Sequence, residues 1–303
     1  MTESEQLLAD GDAAFRRREY EEATNFFKQA AEVAEAQNDG ATLVQALCMV
    51  ARGYLIRELR DDGLPWIERA GNLATAEQPA GWSRYLGVRG RFEWQEDNNA
   101  TATATFREMY DYCLEHSLHN RAIDAAHMVA ITGTQDEQIF WAKKGIVAAE
   151  QGEVDGWLGP LWNNLGATYD EAGQYDEALE AYTRARHYHW KVGDEHAKLA
   201  ADWAVGKTYR RLGQPATAAQ WLRPVLAWAE RRYAEDPSME RGEWVGLACW
   251  DLGEIAASEG REDDALELLR RAERQLGDAK MPEWDANGWQ EILDRIDAVQ
   301  QNE

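Results

Sequence analysis

The chain has 303 residues, 45% of them hydrophobic, and a formal charge of −23 from 55 Asp and Glu against 32 Lys and Arg. That balance excludes the basic footprint needed for sequence-independent nucleic-acid binding, and an anionic membrane surface would repel it. No stretch approaches the roughly 18 consecutive apolar residues of a membrane helix, and the acidic start Met1-Thr2-Glu3-Ser4-Glu5 lacks an apolar signal core, so a cytoplasmic protein is expected.

Along the chain a small residue recurs at Gly11, Ala51, Gly90, Ala126, Gly166, Gly206 and Gly253, with gaps of 40, 39, 36, 40, 40 and 47 residues. Twelve residues after each comes a second, mostly small position: Ala23, Gly63, Ala102, Gln138, Ala178, Ala218 and Ala265. Four further on sits a mostly bulky one, namely Phe27, Ile67, Phe106, Ala142, Tyr182, Leu222 and Leu269, and three beyond that a mostly compact one. Spacings of three, four and seven are helical, so each unit is predicted to be two antiparallel helices joined by a short turn.

The predicted units run over residues 3–38, 40–77, 80–116, 118–151, 154–193, 195–235 and 238–279. The fifth is nearly ideal, the second to fourth are degenerate, and Gln138 and Ala142 fit worst. Gly173-Gln174, Gly213-Gln214-Pro215 and Gly260-Arg261 supply turn signals where helix must give way to helix. Residues 1–281 form the repeat region, and residues 282–303 a closing helix and tail. In that last segment Trp284, Trp289, Ile292, Leu293 and Ile296 fall at helical spacing, suited to covering the apolar face of the final unit.

The stretch Trp162–Ala185 reads W-N-N-L-G-A-T-Y-D-E-A-G-Q-Y-D-E-A-L-E-A-Y-T-R-A and resembles the tetratricopeptide repeat. An ordinary repeat of that family has about 34 residues, so a unit near forty lengthens each helix by roughly three residues, or about 4–5 Å. The sequence therefore resembles the long-helix branch, as in kinesin light chains and the sugar-sensing domains of bacterial activators. Asn163-Asn164-Leu165 is similar to the kinesin type in particular. The resemblance implies an all-α fold, a right-handed superhelical α-solenoid of about seven repeats with a C-terminal capping helix. It also implies binding rather than catalysis.

Enzyme motifs point the same way. The sequence has no phosphate-cradling glycine loop, no H-E-x-x-H, no G-x-S-x-G and no EF-hand loop, so the chain is expected to be no enzyme and to carry no cofactor. Cys48, Cys113 and Cys249 lack metal-ligand or disulfide spacing and are expected to act as small buried hydrophobes. His116 and His119 lie three apart, with only Asp111 or Glu115 as further ligands, which favours surface histidines over a metal site. Trp162, Trp203 and Trp250 on first helices and Trp66, Trp141 and Trp221 on second helices fall at core spacing. Trp94, late on an inward helix face, is instead a candidate anchor for a partner.

In the family, first helices line the concave face and hold extended peptides or short helices. The residue after each first small position should then face the groove: Asp12, Arg52, Arg91, His127, Ala167, Lys207 and Glu254. Four of the middle five are basic or ionisable to a cation, and Arg84 and Arg210 share their faces. Together with Trp94 and Asn163, whose amide suits a peptide backbone, they form the candidate peptide-binding groove: a basic channel in an acidic chain, fitted to an acidic or phosphorylated segment. The competing expectation is that Arg52, Arg91 and Lys207 pair with Glu93, Asp124, Asp170 or Glu171 and hold repeat to repeat. A scaffold or adaptor with a protein or peptide partner leads. A ligand-responsive sensor acting on a separate output partner follows, and a self-associating scaffold comes third.

Overall fold

In five of the repeats the first small residue lies directly under the bulky residue sixteen positions later. That contact is what makes two helices pack as a pair. A Cβ built on Gly11 would stand 2.5 Å from Cε1 of Phe27, and one on Gly90 would stand 2.7 Å from Cε1 of Phe106. At Gly166 and Gly253 the same atom would come within 2.7 Å of Tyr182 Cδ1 and 2.8 Å of Leu269 Cγ, and Gly206 meets Leu222 in the same way. Only a backbone without a side chain lets the opposing helix approach so closely.

The structure is a computed structural model describing residues 1–301, without the side chains of residues 135 and 239–241; Asn302 and Glu303 of the expected tail lie outside the described residues. The chain divides into two compact units, Met1–Trp157 and Leu158–Glu303. Unit 1 pairs α1 (Glu3–Arg16) with α2 (Tyr20–Ala36), α3 (Gly40–Leu55) with α4 (Arg60–Leu73), α5 (Pro79–Gln95) with α6 (Asn99–Glu115), and α7 (His119–Thr132) with α8 (Gln135–Gln151). Unit 2 takes α9 (Asp155–Glu171, from Leu158 onward) with α10 (Tyr175–Val192), α11 (Glu195–Arg211) with α12 (Pro215–Glu235), and α13 (Met239–Ser258) with α14 (Glu262–Asp278). It closes with α15 (Met281–Trp284) and α16 (Ala286–Gln300). Among the described residues there is no strand, and no helix is long and apolar enough to cross a membrane.

Local chemistry sets the helix ends. The side chains of Asp39, Asn98, Asp194 and Asp285 accept hydrogen bonds from the first turns of α3, α6, α11 and α16. Thr2 and Thr134 head capping boxes with Glu5 and Glu137. Most helices stop at one left-handed residue, after which the next N–H reaches the carbonyl five residues back, as in Glu19 N to Ala14 O (3.1 Å) and Gln174 N to Tyr169 O (2.9 Å). Within the pairs of unit 2 that residue is glycine: Gly173, Gly213 and Gly260, with φ of 71°, 69° and 71°. In three pairs of unit 1 it carries a side chain: Arg18, Glu58 and Asp97, with φ of 64°, 61° and 57°.

The fourth pair departs from the rest for a visible reason. Its turn has no left-handed residue: Gly133 is extended, and α8 starts instead from the Thr134 box, with Gln138 donating to the Gly133 carbonyl at 3.4 Å. Ala142 leaves the bulky position small, and the space beside it goes to Trp141, which stacks edge-on against Tyr110 at 5.1 Å between centroids.

Each unit has its own core. In unit 1 it is built on Phe27, Leu47, Leu55 and Phe106, all sealed from solvent; in unit 2 on Leu222, Leu269 and Leu276. The closing helix is split more than the sequence suggests, because left-handed Lys280 starts the single turn α15 and Asp285 restarts the chain as α16. Ile292, Ile296 and Val299 of α16 are buried in the core of the last pair, which is the capping role expected of this segment. The cysteines are buried as expected, and burial pushes the Cys48 and Cys113 thiols up to about 12 and Cys249 to about 11. The tryptophans differ from expectation. Of the six placed at core spacing, Trp141 is buried and the others are half-buried. Indoles are large and carry an N–H, so they serve at the borders of pairs, where Arg184 lies over Trp162 (4.6 Å) and Arg186 over Trp221 (5.0 Å).

Candidate functional site

The stripe expected to face inward consists of half-buried side chains on first helices, polar except for Ala167, and each unit carries its own part of it. In unit 1, Asp12 on α1, Arg52 on α3 and Arg91 on α5 each follow a buried small residue, and so does His127 on α7. Arg84, two turns before Arg91, donates to both carboxylate oxygens of Asp12 at 3.0 and 2.5 Å, a fork-to-fork pair 72 residues apart in sequence. Arg91 donates to Asp124 on α7 at 2.6 Å and to the Gly87 carbonyl at 3.0 Å. Arg121, also on α7, donates to the Ala80 carbonyl, to Ser83 Oγ and, at 3.3 Å, to Gln45 Oε1.

These groups surround a cavity of about 250 Å³ lined by Arg52, Arg84, Arg91, Arg121 and Asp124, with Met49 and Met109 supplying apolar wall. Arg52 stands apart from its neighbours. Among the described residues its guanidinium makes no hydrogen bond or ion pair, and burial, then Arg91, bring its pKa down to about 10 against the opposing pull of Asp124. Burial, then Arg84, likewise bring Arg121 to about 10. Burial pushes the Asp124 carboxyl up, but Arg91, and behind it Arg52 and His127, more than reverse this and hold it below the usual carboxylate range.

His127 is held below the ordinary histidine value by burial, with Asp124 opposing and Arg91 reinforcing. The unfolded residue takes a proton near pH 6.5, whereas the folded one waits for lower pH. Its contribution to stability is therefore complete above pH 6.5 and lost as pH falls through the folded value. Urea unfolding should show wild type losing more stability than His127→Gln between about pH 7.5 and 5.5. Equal losses would remove His127 from the balance.

In unit 2 the inward cations are neutralised. Lys207 on α11 donates to Asp170 at 2.9 Å, and Arg211 approaches the other oxygen of that carboxylate at 3.4 Å. Arg210 donates at 2.6 Å to Asp251, whose second oxygen takes the Trp203 indole N–H at 2.8 Å. Asp170 and Asp251 are buried, at 7% and 3% exposure. A second cavity of about 700 Å³ lies here, lined by Asn163, Asp170, Trp203, Lys207, Arg211 and Trp244. The Asn163 side chain has no hydrogen-bond partner among the described residues, so its amide is open to this cavity.

The candidate groove residues thus fall into separate groups. Arg52, Arg84 and Arg91 share the unit 1 cavity, with His127 joined to them through Asp124. Asn163 and Lys207 share the unit 2 cavity, while Arg210 is turned to Asp251. Trp94, 39% exposed near the end of α5, lines neither. The repeat-to-repeat pairing weighed against ligand binding holds for Arg91 with Asp124 and Lys207 with Asp170, but not for Arg52. Glu93 is engaged elsewhere, by Arg89 at 2.8 Å and Thr105 at 2.6 Å. Sequence reasoning missed Arg121 and Asp251. Asp251 had a signal, because it lies two residues before its repeat's first small position, as Asp124 does, where Met49, Val88 and Ala204 stand in other repeats.

Residues 160–187 match the sequence model of the tetratricopeptide repeat family. No curated protein matches the chain. Among solved structures it is similar to a Signal Transduction ATPase with Numerous Domains carrying a tetratricopeptide repeat sensor, from Pyrococcus horikoshii, at 13% identity and TM-score 0.72. That match covers 97% of this chain but 43% of the other, so the chain spans less than half of that protein. The apo form of RapI is similar at 11% identity and TM-score 0.74, covering 99% of this chain and 86% of RapI. The Rap conjugation gene regulator of plasmid pLS20, in complex with the Phr* peptide, is similar at 16% identity and TM-score 0.55, covering 90% and 73%. With a family match at its fifth pair and the same helix-pair contact recurring along both units, the chain is an α-helical repeat protein resembling the long-helix tetratricopeptide type.

Proposed function

We propose that the chain is a non-catalytic binding scaffold that receives an acidic peptide or protein segment on the inner faces of its first helices. One observation carries the reading. In a chain of charge −23, the guanidiniums of Arg52, Arg84, Arg91 and Arg121 converge on one cavity with Asp12 and Asp124 as their carboxylate partners. Gathering like charges there is unfavourable for the free protein and becomes favourable when an anionic partner fills the space. The Phr* complex lends support, since a Rap protein of this fold is there bound to a peptide. A second reading, a sensor of a small ligand, is favoured by the open Asn163 amide beside Trp203 and Trp244.

The test is selection from a displayed peptide library with wild type and Arg52→Glu, a reversal of charge that breaks no existing pair among the described residues. Wild type should enrich Asp, Glu or phosphorylated sequences, and their affinity should fall at least about tenfold in the variant and weaken with salt. Ligands without acidic character, or equal binding by both proteins, would overturn the reading.

A further inference from the structure

Resting on that reading, we propose that the arginine-lined cavity of unit 1 is a pocket for a single phosphate monoester group. Four guanidiniums line or adjoin the space, while Asp12 is committed to Arg84 and Asp124 to Arg91. Arg121 is satisfied by neutral acceptors and, among the described residues, Arg52 by none. The Cys48 thiol, which feels Arg84 and Arg121, and the Cys113 thiol, which feels Arg121, are pushed up to about 12 by burial and bring no negative charge. Glu93 is held away by Arg89 and Thr105. Two positive charges are left over. A carboxylate would cancel one of them, whereas a phosphate monoester, at about −1.5 to −2 near pH 7, cancels both.

Donor geometry and size agree. The Arg52 guanidinium keeps its full set of N–H donors, and the buried Arg84 Nε also has no partner among the described residues. A tetrahedral group offering three acceptor oxygens can take bonds from arginines on different helices at once, and a planar fork suits it better than an ammonium would. A cavity of about 250 Å³ falls below the roughly 300–1,000 Å³ of sites that enclose whole drug-sized ligands. It fits one anionic head group, with the remainder of the molecule outside.

Isothermal titration with phenyl phosphate, benzoate and a phosphoserine peptide tests this, at a pH well above the second phosphate ionisation near 6. Phenyl phosphate should bind at least about tenfold more tightly than benzoate, and Arg52→Gln should remove that preference while Arg52→Lys keeps part of it. Arg184→Gln, in an exposed pair of unit 2, should bind as wild type does. A phosphoserine peptide binding more tightly than phenyl phosphate would identify a phosphorylated segment as the source; equal binding would point to a free ester. Equal affinities for benzoate and phenyl phosphate in wild type, or no binding of phenyl phosphate, would overturn the phosphate pocket without any variant being needed. If an unphosphorylated acidic peptide still bound through Arg52, the scaffold reading would stand. If it did not, both would fall.

Discussion

Replacing Asp251 with alanine is expected to cost about 3–5 kcal/mol of unfolding free energy, the range found when one member of a buried ion pair is removed. Its side chain is 4% exposed and joins two groups of α11, the Arg210 guanidinium and the Trp203 indole N–H, to α13. Without the carboxylate the Arg210 guanidinium and the Trp203 indole N–H would lose the acceptor they share. Asp251→Asn should cost less, because an amide oxygen still serves one donor. Replacing the pair together, as Asp251→Leu with Arg210→Met, should recover much of the loss, since well-packed apolar groups often substitute for a buried pair without penalty. Urea unfolding followed by circular dichroism decides, provided the slope is unchanged. An Asp251→Ala loss below about 1 kcal/mol would show that water reaches the site and that the pair is an exposed one in effect.

The second large effect concerns the contact that makes the pairs. Phe27 is fully buried against Gly11, so Phe27→Ala should cost about 3–5 kcal/mol. Gly11→Ala places a methyl group 2.5 Å from the ring and should cost about 1–3 kcal/mol, despite the helix propensity that alanine adds. On the Phe27→Ala background the obstruction is gone, and the same Gly11→Ala change should stabilise by up to about 1 kcal/mol. The informative result is this reversal of sign, read from a double-mutant cycle. If Gly11→Ala destabilised both backgrounds equally, the glycine would be serving something other than the ring. The chain shows the same trade between volumes once in its sequence: where the first position is Ala126, the partner position shrinks to Ala142.

That trade explains why the fold was so legible. A helix pair is fixed by residues sixteen apart, and a repeated local contact leaves a repeated sequence trace. The inward positions were readable for the same reason, as the residue following each small one. Their partners were not. Arg84 meets Asp12 across 72 residues, and Arg121 reaches Gln45 across 76. Such pairings depend on how non-adjacent first helices converge, which no periodicity encodes. Arg52 and Arg91 occupy the same place in their repeats, yet among the described residues Arg91 has a carboxylate and Arg52 has none. The sequence could nominate both as groove residues, but only the structure separates the cation that is compensated from the one that is not. The split between α15 and α16 was missed for another reason. It turns on left-handed Lys280, a residue type with no particular preference for that conformation.

The two units also differ in what closes their turns. Unit 1 closes three of its hairpins through Arg18, Glu58 and Asp97, and unit 2 closes all three of its own through glycine. A side chain in the left-handed region costs conformational energy in the folded state, about 1–2 kcal/mol, whereas glycine avoids that cost but gives up more chain freedom on folding. The first penalty is enthalpic in character and nearly constant with temperature. The second is entropic and grows in proportion to absolute temperature. Two halves built to one plan therefore close the same turn by opposite thermodynamic routes, and warming weighs on the glycine-closed half in a way it does not on the other.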